Sequence, residues 1–369
     1  MKIGILTHHY ISNYGAFLQA YALQKAVEEL FPDAEVQIID YVNIRHFFVN
    51  TGGWFRFYKD RENLKCWLRK IRIPAVFSKA RRREMQLSSR CRSPRQVNAL
   101  NFDCIIVGSD EVWNYRDRKG NDPIKFGRGL TCPNLIAYAP STGQTEADER
   151  VPDYVAEGIR GFRAVSARDD LTAELVEKIT GSQPLRVLDP TFLKDIPRAK
   201  SPVAGKPYIL FYYCDGLPKE MRRQIFDEAE KAGLAVYGAG ECDKRYTRMT
   251  VDLTPFEWVE MFRGAELVLT GTFHGAVFSI LNRKPFKVYL TNKSRIKKVG
   301  ALLRELEIEN RNITPGFCLD LAQMRNEIDY DRVYRIIGRR RKESLDFLRE
   351  SIEAFDSERQ TDGEYHSVS

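Results

Sequence analysis

Apolar residues recur along the chain in short runs, each followed by a turn and then by a stretch with helical spacing. The first run is Lys2-Ile3-Gly4-Ile5-Leu6-Thr7, which predicts a strand. After a loop from His8 to Tyr14 and then Gly15, the residues Leu18, Ala22, Leu23, Ala26, Val27 and Leu30 share one helical face. Residues 36–41 form a second strand-like run, so the chain opens as a βαβ unit. No GxGxxG fingerprint accompanies it, so no dinucleotide is inferred. Further strands are predicted at 103–108, 134–139, 164–168 and 185–189. Residues 194–207 hold three prolines and a glycine and read as a linker.

The pattern then restarts. A strand is predicted at 208–213, a helix at 218–232 and a strand at 234–237. Thr254-Pro255-Phe256-Glu257 has capping-box spacing with proline at the first helical position, which predicts a helix start. Strands at 266–269 and 286–290 flank a short apolar helix that opens at His274-Gly275. The class is α/β, with two Rossmann-like domains facing across a cleft. Their expected bounds are 1–195, carrying a basic aromatic insert at 45–98, and 205–328. A charged helix at 329–355 and a polar, disordered tail at 356–369 complete the chain. That helix either folds back onto the first domain or pairs with another copy, so the oligomeric state stays open.

Composition narrows the class. With 43% hydrophobic and 29% charged residues the chain is of the soluble globular type, and no apolar run approaches the ~20 residues of a membrane span. The start, MKIGILTHHY, reads as a strand and not as a signal peptide, so a cytoplasmic location is expected. The seven cysteines (66, 91, 104, 132, 214, 242 and 318) are scattered and lack CxxC spacing, which predicts reduced core thiols without disulfide or zinc. No set of His, Asp and Glu has metal-ligand spacing, so no metal is expected.

The net charge of +8 is concentrated. Residues 56–95 carry 14 Lys/Arg against Asp60, Glu62 and Glu84, which leaves the rest of the chain slightly acidic. Trp54, Phe55, Phe57, Tyr58, Trp67 and Phe77 lie in or beside this segment. No nucleic-acid motif accompanies the charge, so nucleic acid is not a predicted partner. An anionic membrane surface bound through residues 56–95 and a solvated helical insert are the two readings that remain.

The candidate chemistry centres on Leu269 to Arg283, LTGTFHGAVFSILNR. A histidine at a helix N-terminus, beside a glycine, is a place where anions bind and protons move. Six stretches taken together carry a resemblance: NYGAFLQAYAL from Asn13, DCIIVGSDEVWN from Asp103, YAPSTG from Tyr138, SARDDLTAEL from Ser166, VLDPTFL from Val187 and TFHGAVFSILNRKPF from Thr272 to Phe286. Together, in register, these resemble the polysaccharide pyruvyl transferase family.

The resemblance implies a fold similar to GT-B glycosyltransferases. It also implies transfer of pyruvate from phosphoenolpyruvate, as co-substrate and with no other cofactor, to two sugar hydroxyls as a cyclic ketal. The acceptor would be a saccharide, free or lipid-linked. His274 is then the expected acid, or alternatively a helix cap. Arg168 and Arg295 are candidate ligands for the donor's anionic groups. The alternatives are an ion pair of Arg168 with Asp169 or Asp170, and a surface role for Arg295. Thr272 and Gly275 complete the expected donor side. Many members carry Arg-Leu-His-Gly where this chain has Thr272-Phe273-His274-Gly275, and a branch with Ser/Thr-Phe-His-Gly also exists. Asp110 is a candidate base or a helix N-cap. Asn13, Tyr14, Gly15, Ser141 and Thr142 are candidate acceptor-side residues or turn formers. Two rivals stand beside this reading: a sugar-nucleotide glycosyltransferase, for which Gly238-Ala239-Gly240-Glu241 is the relevant stretch, and a non-catalytic saccharide- or partner-binding relative.

Overall fold

The computed structural model describes residues 1–369 except 56–63, 144, 146–149, 204, 215, 292, 314–319, 321, 323–324, 326–327 and 367–369, and except the side chains of 293–294 and 355–366. The chain divides into two units, one made of Met1–Val49, Arg81–Asp195 and Gly338–Ser369, the other of Asn50–Ala80 and Ile196–Ile337.

The first unit is built on β1 (Lys2–Leu6), α1 (Tyr14–Leu30) and β2 (Glu35–Ile38). Next along the chain are α2 (Ile44–Trp54), α3 (Leu64–Lys70) and α4 (Ile73–Glu84), whose residues 50–80 belong to the second unit, and then α5 (Pro94–Asn98). Then come β3 (Cys104–Val107), β4 (Asn134–Ala137), α6 (Asp153–Arg160), β5 (Ala164–Ala167), α7 (Asp170–Thr180) and β6 (Leu185–Arg186). The six strands form one parallel sheet in the order β2-β1-β3-β4-β5-β6. All four residues of β3 are buried, the continuous apolar run that a strand covered on both faces requires. The order reverses between β1 and β3. The loops after these two strands therefore diverge and leave a crevice at the carboxyl edge.

The second unit contains β7 (Tyr208–Tyr212), α8 (Lys219–Lys231), β8 (Ala235–Gly238), α9 (Pro255–Arg263) and β9 (Leu267–Thr270). The helix α10 (Phe273–Leu281), β10 (Phe286–Val288) and α11 (Lys293–Glu305) follow. Its four-stranded parallel sheet has the order β10-β9-β7-β8, which reverses between β7 and β9. The capping box at α9 forms: Glu257 N–H donates to Thr254 Oγ1, and Thr254 N–H donates to the Glu257 carboxylate at 2.9 Å.

Three expectations are corrected here. The insert does not stay with the first unit, since residues 50–80 belong to the second. Cys66 on α3 is disulfide-bonded to Cys242, 176 residues away. Arg69 and Arg72 also reach Asp252, at 3.0 and 3.2 Å. The disulfide overturns the expectation of reduced thiols throughout, because spacing along a chain does not reveal cysteines that a βα fold brings together. Cys91, Cys104, Cys132 and Cys214 are outside any disulfide, and Cys318 lies outside the described residues. With one disulfide present, the cysteines no longer speak for a reducing compartment.

The third correction concerns the C-terminus. The last helix, α12 (Tyr330–His366), runs 11 residues beyond the expected end at 355. Its Glu, Arg and Gln residues are good helix formers as well as polar ones. From Gly338 onward it belongs to the first unit. Leu188 N–H donates to Ser344 Oγ at 3.0 Å, Arg340 donates to the Arg186 carbonyl at 2.8 Å, and Leu348 and Ile352 are fully buried. The fold-back alternative is thus the observed one.

Closing so long a loop restricts the unfolded chain strongly. Cys66→Ser is expected to lower stability by about 2–4 kcal/mol. Denaturant unfolding should show this without reductant and lose the difference once dithiothreitol is added. Equal stability of the two proteins in oxidising buffer would contradict it.

Candidate active site

In the second unit, His274 sits at the topological switch point, where ligands of open α/β sheets bind. Leu267–Thr270 ends at Gly271. A Cβ there would come within 2.4 Å of the Tyr213 carbonyl oxygen and 3.1 Å of the Tyr289 one. Only glycine lets the ends of β7 and β10 close on β9. Thr272 is the N-cap of α10, and its Oγ1 accepts from Gly275 N–H at 3.1 Å. Thr270 Oγ1 accepts from Thr272 N–H at 3.2 Å and donates to the Tyr212 carbonyl at 2.9 Å.

This geometry gives Thr272 and Gly275 work other than donor binding. The Thr272 hydroxyl is the helix cap. The Gly275 N–H is consumed by it, and a Cβ on Gly275 would lie 2.0 Å from Thr270 Oγ1. The glycine answers a packing demand. Since threonine caps the helix, His274 does not. It is the second residue of α10, half-buried, with its ring edge-on to Phe273 at 5.4 Å. Arg295 lies half-buried in the first turn of α11.

One neighbour at this edge escaped the sequence reading. Tyr213, 40% exposed, has φ 49 at the end of β7, an uncommon backbone for a bulky side chain. Its N–H donates to the Glu241 carboxylate at 3.3 Å, and the other Glu241 oxygen accepts from the Tyr246 hydroxyl at 3.0 Å. Glu241, which a sugar-nucleotide enzyme would need for a ribose, is thereby committed to its own fold. No sequence signal marked Tyr213, because Phe211-Tyr212-Tyr213 reads as one strand.

In the first unit, the loop after β3 carries Asp110 with φ 75 and no side-chain cap hydrogen bond, so the expected N-cap is not formed. Its Oδ1 lies 3.5 Å from Arg168 Nη2 instead, and Arg168 Nη1 donates to Asp189 Oδ2 at 2.7 Å. The Arg168 side chain is 5% exposed and that of Asp189 is 0%. Burial disfavours the charged guanidinium, but Asp189, Asp110 and Asp169 more than offset this and hold its pKa above the ordinary value. Arg168 therefore forms an ion pair, but with neither anticipated partner. Asp169 caps α7 through Thr172 N–H at 3.0 Å, and Asp170 pairs with Arg186. The sequence could not single out Asp189, which lies 21 residues away at the end of the neighbouring strand.

The acceptor-side candidates divide. Asn13 caps α1, its Oδ1 accepting from Ala16 N–H at 3.0 Å, and is exposed. Tyr14 is buried, and Gly15 lies within the first turn of α1, not in a turn before it. Ser141 and Thr142 are both buried. Ser141 Oγ accepts from Gly143 N–H at 3.2 Å, and Thr142 N–H donates to Thr172 Oγ1 at 3.0 Å. Ser141 thus braces the turn at Gly143, and Thr142 ties the same loop to α7.

Between the loops after β1 and β3 lies a buried polar cluster that the sequence reading did not assemble. His8 and His9 are both buried, and each has its own set of partners. His9 lies between the Thr7 carbonyl (3.3 Å) and Asp40 Oδ1 (3.1 Å). His8 lies against Lys125, whose Nζ is 3.2 Å from each ring nitrogen and donates to the Gly120 carbonyl at 3.0 Å. The His46 ring is edge-on to His8 at 5.0 Å, and its Nδ1 is 3.0 Å from the Tyr10 hydroxyl. Burial, then Lys125, pushes His46 down to about 4, and the same causes push His8 well below its ordinary value. Burial pushes Lys125 itself down to about 8, against the pull of Asp122, Asp117 and Asp110. The one signal for this cluster was that three of five histidines precede residue 47; Lys125 carried none.

The lysine gives a pH prediction. In the unfolded chain its pKa returns to about 10.4, so between about pH 8 and 10 the unfolded state binds the extra proton and stability rises with pH. The burial penalty is present in full below that window. Unfolding free energies of wild type and Lys125→Met, measured from pH 7 to 10, should differ by an amount that climbs by up to ~1.4 kcal/mol per pH unit in favour of the wild type. A difference that stays flat would contradict the assignment.

Among the described residues no group of three or more His, Cys, Asp or Glu is placed to hold a metal, and no helix is long and apolar enough to cross a membrane.

Similar solved structures include a putative UDP-N-acetylglucosamine 2-epimerase from Listeria monocytogenes, with 10% identity, TM-score 0.46 and coverage of 95% of this chain and 90% of that one. The Escherichia coli heptosyltransferase WaaC, solved with ADP-2-deoxy-2-fluoro heptose, has 12% identity, TM-score 0.38 and coverage of 92% and 99%. A Streptomyces glycosyltransferase solved with thymidine diphosphate has 11% identity, TM-score 0.42 and coverage of 96% and 99%. No curated protein matches significantly. The family pattern for polysaccharide pyruvyl transferase matches residues 13–292, three quarters of the chain, and the protein belongs to that family.

Proposed function

We propose that the protein transfers the pyruvyl group of phosphoenolpyruvate to two hydroxyls of a saccharide, forming a cyclic ketal during synthesis of a cell-surface polysaccharide. The observation that carries this reading is His274 at the switch point of the second sheet, in a chain that matches the family, with the helix cap supplied by Thr272. The imidazole is thereby spared a capping role, and the residue is half-buried with its Nε2 turned away from solvent.

The reaction needs one proton delivered and two removed. His274 protonates the methylene carbon of phosphoenolpyruvate, which becomes the methyl group. The first sugar hydroxyl attacks C2 and loses its proton to a base. The bond from C2 to the phosphate oxygen breaks, and the second hydroxyl closes the ring on C2. Of the two hydroxyl protons, one balances that given to the methyl carbon and the other leaves with phosphate. An imidazole suits the first step because its ordinary pKa lies near neutrality.

Donor binding is assigned to the second unit and acceptor binding to the first. With Arg168 neutralised by Asp189 and Asp110, the cation for the donor's carboxylate or phosphate is assigned to Arg295, whose guanidinium fork fits either group. Asp110, 18% exposed at its side chain, is the base for the acceptor hydroxyl. Asn13 is the remaining acceptor-side residue with an exposed side chain. The side chains carry the proton transfers without a metal. The protein works in the cytoplasm at the inner membrane face, where a lipid-linked acceptor would be presented.

Incubation with phosphoenolpyruvate, a panel of nucleotide sugars and candidate acceptors tests the reading. Acceptor-dependent release of phosphate from phosphoenolpyruvate supports it. Release of nucleotide would place the chain among sugar-nucleotide transferases, and release of neither would leave a binding protein.

A further inference from the structure

Asp110 stands in a backbone conformation that side chains avoid. Its φ of 75 and ψ of −170 fall in a region that essentially only glycine occupies. Glycine would take this conformation without strain, yet the chain carries a carboxylate here, at the carboxyl edge of the first sheet. Such a residue keeps its conformation only where the surroundings fix the peptides on both sides of its Cα.

Both sides are fixed. On the carbonyl side, Ser141 N–H and Val112 N–H each donate to the Asp110 carbonyl at 2.8 Å. On the amide side, the Ser109 carbonyl belongs to the same planar peptide as the Asp110 N–H, and it accepts from the Thr7 hydroxyl at 3.2 Å. Gln19 sets the orientation of that hydroxyl, since its Nε2 donates to Thr7 Oγ1 at 2.9 Å and leaves the hydroxyl proton for Ser109. Gln19 Oε1 in turn accepts from Ser109 N–H at 3.2 Å. Thr7, Gln19 and Ser109 thus close a ring of hydrogen bonds that joins the end of β1, α1 and the loop after β3.

Gln19 lies in the stretch that begins at Asn13 and is fully buried on α1, between the equally buried Leu18 and Ala20. An apolar side chain of similar length would fill that space without the cost of burying an amide. Instead the carbonyl oxygen and both amide protons are used, the second proton going to the Ala16 carbonyl at 3.0 Å.

We infer that Thr7 and Gln19 are positioning residues that hold the Ser109–Asp110 peptide and so keep the Asp110 carboxylate in the crevice, turned to the acceptor hydroxyl. This assignment rests on the function proposed above, in which Asp110 is the acceptor base. Both residues act through the Asp110 backbone and not on the reacting atoms.

Two substitutions at Thr7 separate hydrogen bonding from packing. Thr7→Val keeps the shape of the side chain and removes the hydroxyl, whereas Thr7→Ser keeps the hydroxyl and removes a methyl group. Thr7→Val should lower kcat for acceptor-dependent phosphate release by about tenfold or more, since misplacing a catalytic group by ~1 Å costs up to about 10²-fold. KM for phosphoenolpyruvate should stay within about twofold of wild type, because the loss falls on the transition state. Thr7→Ser should recover most of the lost turnover. In an Asp110→Asn background, Thr7→Val should cost little more, as residues that act as a unit are not additive. A larger loss in the serine variant than in the valine variant overturns the inference, and so does a full tenfold loss in the Asp110→Asn background. Gln19→Met should behave as Thr7→Val does and takes its place if the valine variant does not fold.

A crystal structure of Thr7→Val reads the clamp without catalysis. Asp110 should leave the positive-φ region, and a φ still near 75 overturns the inference. Failure of the proposed reaction has a separate mark: the wild-type protein would then release no phosphate from phosphoenolpyruvate, while the Asp110 backbone would still move in the variant.

Discussion

His274→Gln should lower acceptor-dependent phosphate release from phosphoenolpyruvate by about 10²-fold or more, the usual contribution of a positioned general acid. Glutamine keeps hydrogen-bonding capacity and a good helix propensity but cannot deliver a proton at neutral pH. The substitution is a clean one because Thr272 caps α10 and Thr270 braces the cap, both by hydrogen bonds that do not involve the imidazole. Donor affinity should change much less than turnover, since the variant removes an interaction made in the transition state. Turnover near the wild-type value would remove the acid from this position. A raised KM with unchanged turnover would recast His274 as a donor ligand.

The second large effect is structural. Arg168→Met should destabilise the first unit by about 3–5 kcal/mol, because it strands a carboxylate away from solvent. Asp189 is fully buried at its side chain, and without the guanidinium its Oδ2 loses a 2.7 Å charge-assisted bond, while Oδ1 keeps the neutral bonds from Thr191. Removing both charges, as in Arg168→Met/Asp189→Leu, should recover much of that loss, since a buried pair replaced by apolar groups is often neutral. Urea unfolding of the two variants and the wild type checks this. If Arg168 instead served mainly to hold donor, Arg168→Met would fold with wild-type stability and show a raised KM for phosphoenolpyruvate.

The contrast between these residues shows what a sequence makes legible. Strands were readable because a parallel sheet covered on both faces needs runs such as Cys-Ile-Ile-Val at 104–107, and the helix start at Thr254 because the capping box is local. The family motifs were readable in register. The candidate site was legible as a set of strand ends, since 108–110, 140–142, 168–170 and 271–275 all follow predicted strands at the ligand-binding edge.

Partnerships were not legible. The Arg168 pair joins residues on adjacent strands, the Lys125 contact with His8 spans 117 positions, and the Cys66 bridge spans 176. Such choices depend on which loops the fold brings side by side. The motif residues Thr272 and Gly275 looked like ligand groups because a tight strand-to-helix turn and a binding loop use the same residue types, hydroxyls and glycine. The pairing inside the basic insert was equally hidden: charge counted along a chain includes Arg69 and Arg72, which the fold sets against Asp252.

The most direct measurement follows the carbon. Phosphoenolpyruvate labelled with ¹³C at C2 is incubated with the protein and its saccharide acceptor, and the product is examined by NMR and mass spectrometry. The label should appear in the saccharide as a quaternary ketal carbon bearing a methyl group, with one phosphate released for each ketal formed. Label found only in phosphoenolpyruvate or in free pyruvate, or an acceptor modified only when a nucleotide sugar is supplied, would contradict pyruvyl transfer.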